Sequence, residues 1–168
     1  MQTGSQQPRN HPLRMEPTGI LTGLKIRPIV IGVVIDYVAT YAAMFAWIIL
    51  FVSRRLSEQG KLSEEAVQNF LISTEGLLIG FAIGTFCTVL GGYVAARQAK
   101  ELEIKHGAFV GVGSLILTAL EQSISGSGAS LPQWYVVLSA VAIVPAGALG
   151  GYIAEQLKDS SIFRNHKV

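Results

Sequence analysis

An all-α fold, an integral membrane four-helix bundle with small-residue helix packing and a short extra helix in its first outer loop, is what this sequence predicts. Three observations carry the prediction. Charged residues make up 14% of the 168-residue chain, against about 25% in an ordinary soluble domain, and they are missing from four long stretches. Lys and Arg divide unevenly between alternate loops. Small residues fall on one face of each stretch when the chain is wound at about 100° per residue.

The first stretch, Ile29–Val52, contains one charge, Asp36. The second, Gly76–Ala96, and the fourth, Leu131–Ala154, contain none. Each meets the length of about 20 residues that a helix needs to cross a bilayer core. The third, Gly107–Leu120, is shorter and is expected to insert as a hairpin partner of the fourth. The spans are placed at about 28–52, 76–96, 107–124 and 132–154, forming one membrane domain over 28–156. Residues 1–27 are polar, carry Pro8, Pro12 and Pro17, and are expected to form a disordered tail. Residues 157–168 form a second tail. No cleavable signal sequence is expected, because the first span is too long for one.

Four spans place both termini and the loop near 97–106 on one side. That side holds Arg9, Arg14, Lys25, Arg27, Arg97, Lys100, Lys105, Lys158, Arg164 and Lys167, and the other holds only Arg54, Arg55 and Lys61. Basic loops stay in the cytoplasm, so both termini are expected there, in a cytoplasmic membrane. Trp47, Trp134 and Tyr135 then mark the outer interface, and Tyr93 and Tyr152 the inner one. In the long outer loop, Ser63 reads as an N-cap with Glu64 and Glu65 in the first turn. Leu62 and Val67 fit a hydrophobic staple, so a short helix near 63–73 is expected on the membrane surface. Gln122–Gln133 reads as a plain connector.

Between helices in lipid, association relies on close approach through small residues and on polar contacts. Gly84, Gly91 and Gly92 share a face of the second span with Gly80, Cys87, Thr88 and Ala95. Gly107 and Gly111 share one of the third with Ser114, Thr118 and Glu121, and Gly147, Gly150 and Gly151 one of the fourth. In the first span Gly32, Asp36, Ala39 and Ala43 cluster. Helix packing is therefore expected at Gly84, Gly91, Gly92, Gly107, Gly111, Gly147, Gly150 and Gly151. The run LGGYVA at 90–95 returns as LGGYIA at 149–154. Its glycines are expected to face neighbouring helices, and its tyrosines to point away from them. Pro145 removes one helical hydrogen bond and predicts a kink. Cys87 reads as a small packing residue.

Two carboxyls are candidate protonatable groups within the membrane. Asp36 lies eight residues past Pro28, or about 12 Å deep. No Lys or Arg occupies any span, so a neutral acid facing the bundle interior is expected. Glu121 ends the polar stripe of the third span, about 21 Å from its inner end. There it reads first as a solvated carboxylate at the outer boundary; the alternative is a protonated acid that donates to the Val141 carbonyl freed by Pro145. His106 sits among Arg97, Lys100 and Lys105, with His11 and His166 in the tails. No metal site and no cofactor are expected. The motifs GxSxG, HExxH and the P-loop are absent, and no dense basic patch suggests nucleic acid.

The stretch GGYVAARQAKELEIKHGAFVG at 91–111, with GGYIAEQ at 150–156, resembles a broad group of uncharacterised four-helix bacterial membrane proteins. In these a GGY-(V/I)-A-x-R helix end precedes an H-G-A helix start. The resemblance spans roughly 76–156 and implies four spans in a bacterial cytoplasmic membrane, with no assigned activity. The leading expectation is a non-catalytic membrane protein acting through helix or partner contacts. Its partners would be the lipid bilayer, a second copy or another membrane protein. The alternative is a small proton-coupled transporter or channel-like protein that uses Asp36. A cavity touching Asp36 favours the second; a dry, close-packed Asp36 favours the first.

Overall fold

A computed structural model describes residues 23–59, 63–125 and 131–165. They form five helices: α1 (Ile26–Gln59), α2 (Glu64–Leu71), α3 (Thr74–Ala99), α4 (Glu103–Ser125) and α5 (Gln133–Asn165). No strand occurs among the described residues. Four helices are long and apolar enough to cross a membrane. The chain is a multi-pass membrane four-helix bundle with one short extra helix.

The helix ends follow local chemistry. Pro28 falls in the first turn of α1, where its missing N–H has no helical acceptor to lose. Helix α1 starts at Ile26 and Lys25 is tied to the bundle, so the bundle takes in residues before 28; residues 1–22 of the expected tail lie outside the described residues. Ser63 caps α2, accepting from the Ala66 amide at 3.2 Å. The expected staple residue Leu62 lies outside the described residues. Ser73 ends α2 and starts α3, donating to the Phe70 carbonyl at 2.6 Å and accepting from the Gly76 amide at 3.2 Å. Phe70 stacks on Phe51 of α1 at 3.8 Å between ring centroids.

The third span is longer than its uncharged core. Helix α4 begins at Glu103 rather than 107, and lysines from distant parts of the chain hold the turn that leads into it. Lys100 and Leu102 take left-handed backbone angles, φ 63° and 50°, which turn the chain over within three residues. Lys158 of α5 donates to the Lys100 carbonyl at 2.9 Å and to Glu103 at 2.6 Å. Lys25 donates to the Ala99 carbonyl at 3.1 Å. His106, fully buried, accepts the Lys25 amide on Nε2 and donates from Nδ1 to the Leu102 carbonyl, both at 3.0 Å. Counted from Glu103 to Ile124, the third span has 22 residues and is long enough to cross a membrane. Helix α5 likewise runs to Asn165, past the expected end at 154 and into the expected tail. Lys158→Met is expected to lower stability by about 1 kcal/mol, a buried charge-pair loss discounted because the lysine is half exposed. Chemical unfolding of the purified protein in mixed micelles measures it.

Around the bundle α1 packs on α3 and α4, and α5 on α3 and α4; α3 and α4 also touch each other. Helices α1 and α5 therefore stand at opposite corners. Towards the 100–102 turn the four helices meet almost backbone to backbone. Gly91 lies against Gly32 of α1, Gly92 against Gly147 of α5, Gly107 against Gly147 and Gly151, and Gly111 against Ile143 and Val144. Gly150 lies against Val89 and Tyr93 of α3, and Gly151 against Glu103 and Ile104 of α4. Each GG pair thus serves two neighbours, because consecutive residues point about 100° apart on a helix. The second copy of the repeat repeats this requirement on another helix. Tyr152 is half exposed, and the Tyr93 ring lies beneath Arg97 at 5.9 Å while its backbone takes the Gly150 contact.

Gly84 departs from this pattern. A Cβ placed there meets nothing within 4 Å, so it makes no helix contact and borders a cavity instead. The small face of α3 is continuous in sequence, but its buried residues run from Cys87 to Ala99 and recur only at Gly76 and Leu77, beside α2. Beyond Cys87, towards α2, the helices separate.

Candidate functional site

The opening between the four helices is a cavity of about 510 Å³, within the range of about 300–1,000 Å³ usual for small-molecule sites. Its floor is Asp36 of α1, Thr88 of α3 and Ser114 of α4, the level at which the glycine contacts stop. Its walls are largely apolar, with Met44, Phe45 and Ile48 from α1, Phe81 from α3 and Ile143 from α5. It runs from Asp36 to the level of Ile48, about 18 Å at 1.5 Å per residue. Tyr41, Phe45 and Thr118 line it while exposed, so it reaches the bundle surface along the seam between α1 and α4.

Asp36 is buried, with 4% exposure, and points inward as its small neighbours predict. Gly91 makes this possible, since a Cβ there would stand 2.9 Å from the Asp36 Cβ. Three hydroxyls surround the carboxyl. Ser114 Oγ lies 2.5 Å from Oδ2, Thr88 Oγ1 lies 3.1 Å from Oδ2 and 3.2 Å from Oδ1, and Thr40 Oγ1 lies 3.5 Å from Oδ1. No basic side chain lines the cavity.

Counting protons shows what this arrangement can do. Thr88 has one hydroxyl proton and two kinds of acceptor within reach, the carboxyl and the Gly84 carbonyl at 3.0 Å. When Asp36 is a neutral acid it donates to Thr88, and Thr88 donates back along its helix to Gly84. When Asp36 is ionised, Thr88 turns its proton to the carboxylate. The same heavy-atom frame therefore satisfies both protonation states, and a proton can be loaded and released with no more than a hydroxyl rotation. Ser114→Ala removes the shortest of these bonds and is expected to cost about 1 kcal/mol. Unfolding in mixed micelles measures the loss.

Glu121 stands seven residues along α4 from Ser114, about 10 Å towards the cavity rim. Its hydrogen bond goes to the Tyr41 hydroxyl of α1, and Tyr37 Oη lies 3.3 Å from Tyr41 Oη. The alternative bond to the Val141 carbonyl does not form; Glu121, half-buried, accepts from Tyr41 of α1 across the seam. Asp36 and Glu121 are thus brought into one cavity, at its floor and its rim. Tyr37, Thr40, Tyr41, Thr88 and Ser114 hydrogen-bond within this polar set, and Thr85, Thr118 and Ser139 add further hydroxyls to the lining. Thr88 and Ser114 were expected only on the small faces of their helices, and Tyr37 and Tyr41 were assigned no role, although two tyrosines deep in a span, away from the interface where tyrosine is enriched, were a readable signal. Tyr135, expected at the interface, also lines the cavity. Cys87 is buried one residue before Thr88. Among the described residues no cluster of three metal-ligating side chains occurs.

No protein-family model, curated protein or solved structure matches this chain.

Proposed function

We propose that this protein is a small proton-coupled membrane transporter in which Asp36 carries the proton. The observation that supports this reading over one based on helix contacts alone is the cavity that ends on Asp36. A carboxyl serving only as structural glue between helices needs no such space beside it. The hydroxyl frame of Thr88 and Ser114 accommodates both the charged and the neutral carboxyl, as a carrier of protons requires. The excess of Lys and Arg at the turn end supports a cytoplasmic membrane location with both termini inside. The tightly packed end then faces the cytoplasm and the cavity opens towards the outer half of the bilayer. Pro145 lies between Ile143, which lines the cavity, and Gly147, which packs against Gly107. Lacking one backbone bond at this level, α5 bends there at least cost as the two ends exchange access.

Reaction with N,N′-dicyclohexylcarbodiimide, an apolar reagent for protonated carboxyls, tests the reading. Peptide mass spectrometry of the treated protein in nanodiscs is expected to find Asp36 modified, with a rate that falls as pH rises. An unmodified Asp36 at every pH, in folded protein, rejects the proposal.

A further inference from the structure

We infer that the cavity binds lipophilic organic cations, which compete with the proton for Asp36; the inference rests on the transport reading above and names its substrate class. Charge is the first reason. The titratable groups facing the cavity are Asp36, Tyr37 and Tyr41 from α1, Glu121 from α4 and Tyr135 from α5. The α3 wall contributes none, Cys87 being the nearest, one residue from Thr88. Every group here that ionises does so to a negative charge, and no Lys, Arg or His offsets it. A cation gains from this set, whereas an anion meets only repulsion in a medium that screens poorly.

Wall chemistry is the second reason. Phe45, Phe81, Tyr37, Tyr41 and Tyr135 present aromatic rings in the same space, and ring faces attract a desolvated cation within about 6 Å. Hydroxyls of Thr and Ser also line the cavity, but most of the surface it presents is hydrocarbon, and the three hydroxyls nearest Asp36 are already engaged with its carboxyl. A small hydrated ion would lose water that this surface replaces poorly. A cation wrapped in hydrocarbon loses little. Access is the third. The opening along the α1–α4 seam lies among exposed Tyr41, Phe45 and Thr118, at the depth of the apolar spans. A solute dissolved in the bilayer reaches it directly. With one carboxyl at the floor and one about 10 Å away at the rim, a cation entering past Glu121 moves down the charge gradient to Asp36 and displaces its proton.

Tetraphenylphosphonium and tetraphenylborate, two ions of nearly the same shape and opposite charge, separate the outcomes. Binding to the purified protein in nanodiscs is measured by equilibrium dialysis between pH 6 and pH 8. The phosphonium is expected to bind, with affinity rising by up to about tenfold per pH unit as one proton is released per cation. In Asp36→Asn its affinity is expected to fall and the pH dependence to vanish. Glu121→Gln is expected to weaken binding while leaving the pH dependence in place. Equal or tighter binding of tetraphenylborate overturns the cation assignment and leaves the cavity as a binding site. Failure of both ions to bind, with Asp36 still reactive to carbodiimide, also overturns it while the proton reading stands. Failure of both with Asp36 unreactive removes the transport reading itself.

Discussion

Gly107→Ala is expected to destabilise the bundle by about 3 kcal/mol, at the upper end of overpacking costs, while Gly84→Ala leaves stability unchanged or raises it. Both changes add one methyl group and both gain about 1 kcal/mol of intrinsic helix propensity. They differ in what the methyl meets. At position 107 it would stand 2.8 Å from the Gly151 nitrogen and 3.0 Å from the Gly151 Cα, with the Gly147 carbonyl oxygen closer still. These are backbone atoms of α5 and cannot rotate away, so α4 and α5 must separate. That separation also strains the bonds of Lys158 to Lys100 and Glu103. At position 84 the methyl meets nothing within 4 Å and occupies cavity space. Unfolding of the two variants beside the parent protein in the same mixed micelles makes the comparison. Equal destabilisation by both would mean that the α2 end is packed as tightly as the turn end. Gly84→Leu extends the contrast: it is expected to keep the fold and narrow the cavity, weakening phosphonium binding without loss of stability.

Asp36→Asn is expected to abolish carbodiimide labelling at position 36 and the pH dependence of cation binding together, with stability kept within about 1–2 kcal/mol. Asparagine matches the acid in size and supplies both a donor and an acceptor to Thr88 and Ser114. The network that holds the neutral acid therefore has counterparts for most of its bonds. What asparagine lacks is a proton to exchange. A variant that folds, binds the phosphonium with the same affinity as the parent and keeps the same pH dependence would show that the titrating group lies elsewhere in the cavity. Glu121 would then be the group to examine. A variant that fails to fold would instead show that the charged carboxylate is needed for assembly. Ser114→Ala, which keeps the carboxyl, would then carry the binding test.

Much of the fold was legible because the bilayer imposes simple constraints. Spans are long and uncharged, caps are polar, and helices meet where side chains are small. Ser63, Gly91, Gly92, Gly107 and Gly147 were each readable from residue type and spacing, and each takes the structural place expected of it. The start of α4 at Glu103 was not legible, because Glu103 pairs with Lys158 and His106 accepts the Lys25 amide, both from distant parts of the chain. Gly84 was misread for a related reason. Its spacing from Gly80, Gly91 and Ala95 places it on the packing face, and nothing local records that the facing helix has moved away.

Sequence alone determined the number of helices, the inward direction of Asp36 and the small residues on which the helices meet, since periodicity and hydropathy act within one helix at a time. Only the tertiary structure decided that the close packing stops at Asp36, that a cavity opens there, and that Tyr41 bridges to Glu121 across the seam. Those features depend on the distance between helix axes along the whole length of the bundle. No single helix carries that distance in its own residues.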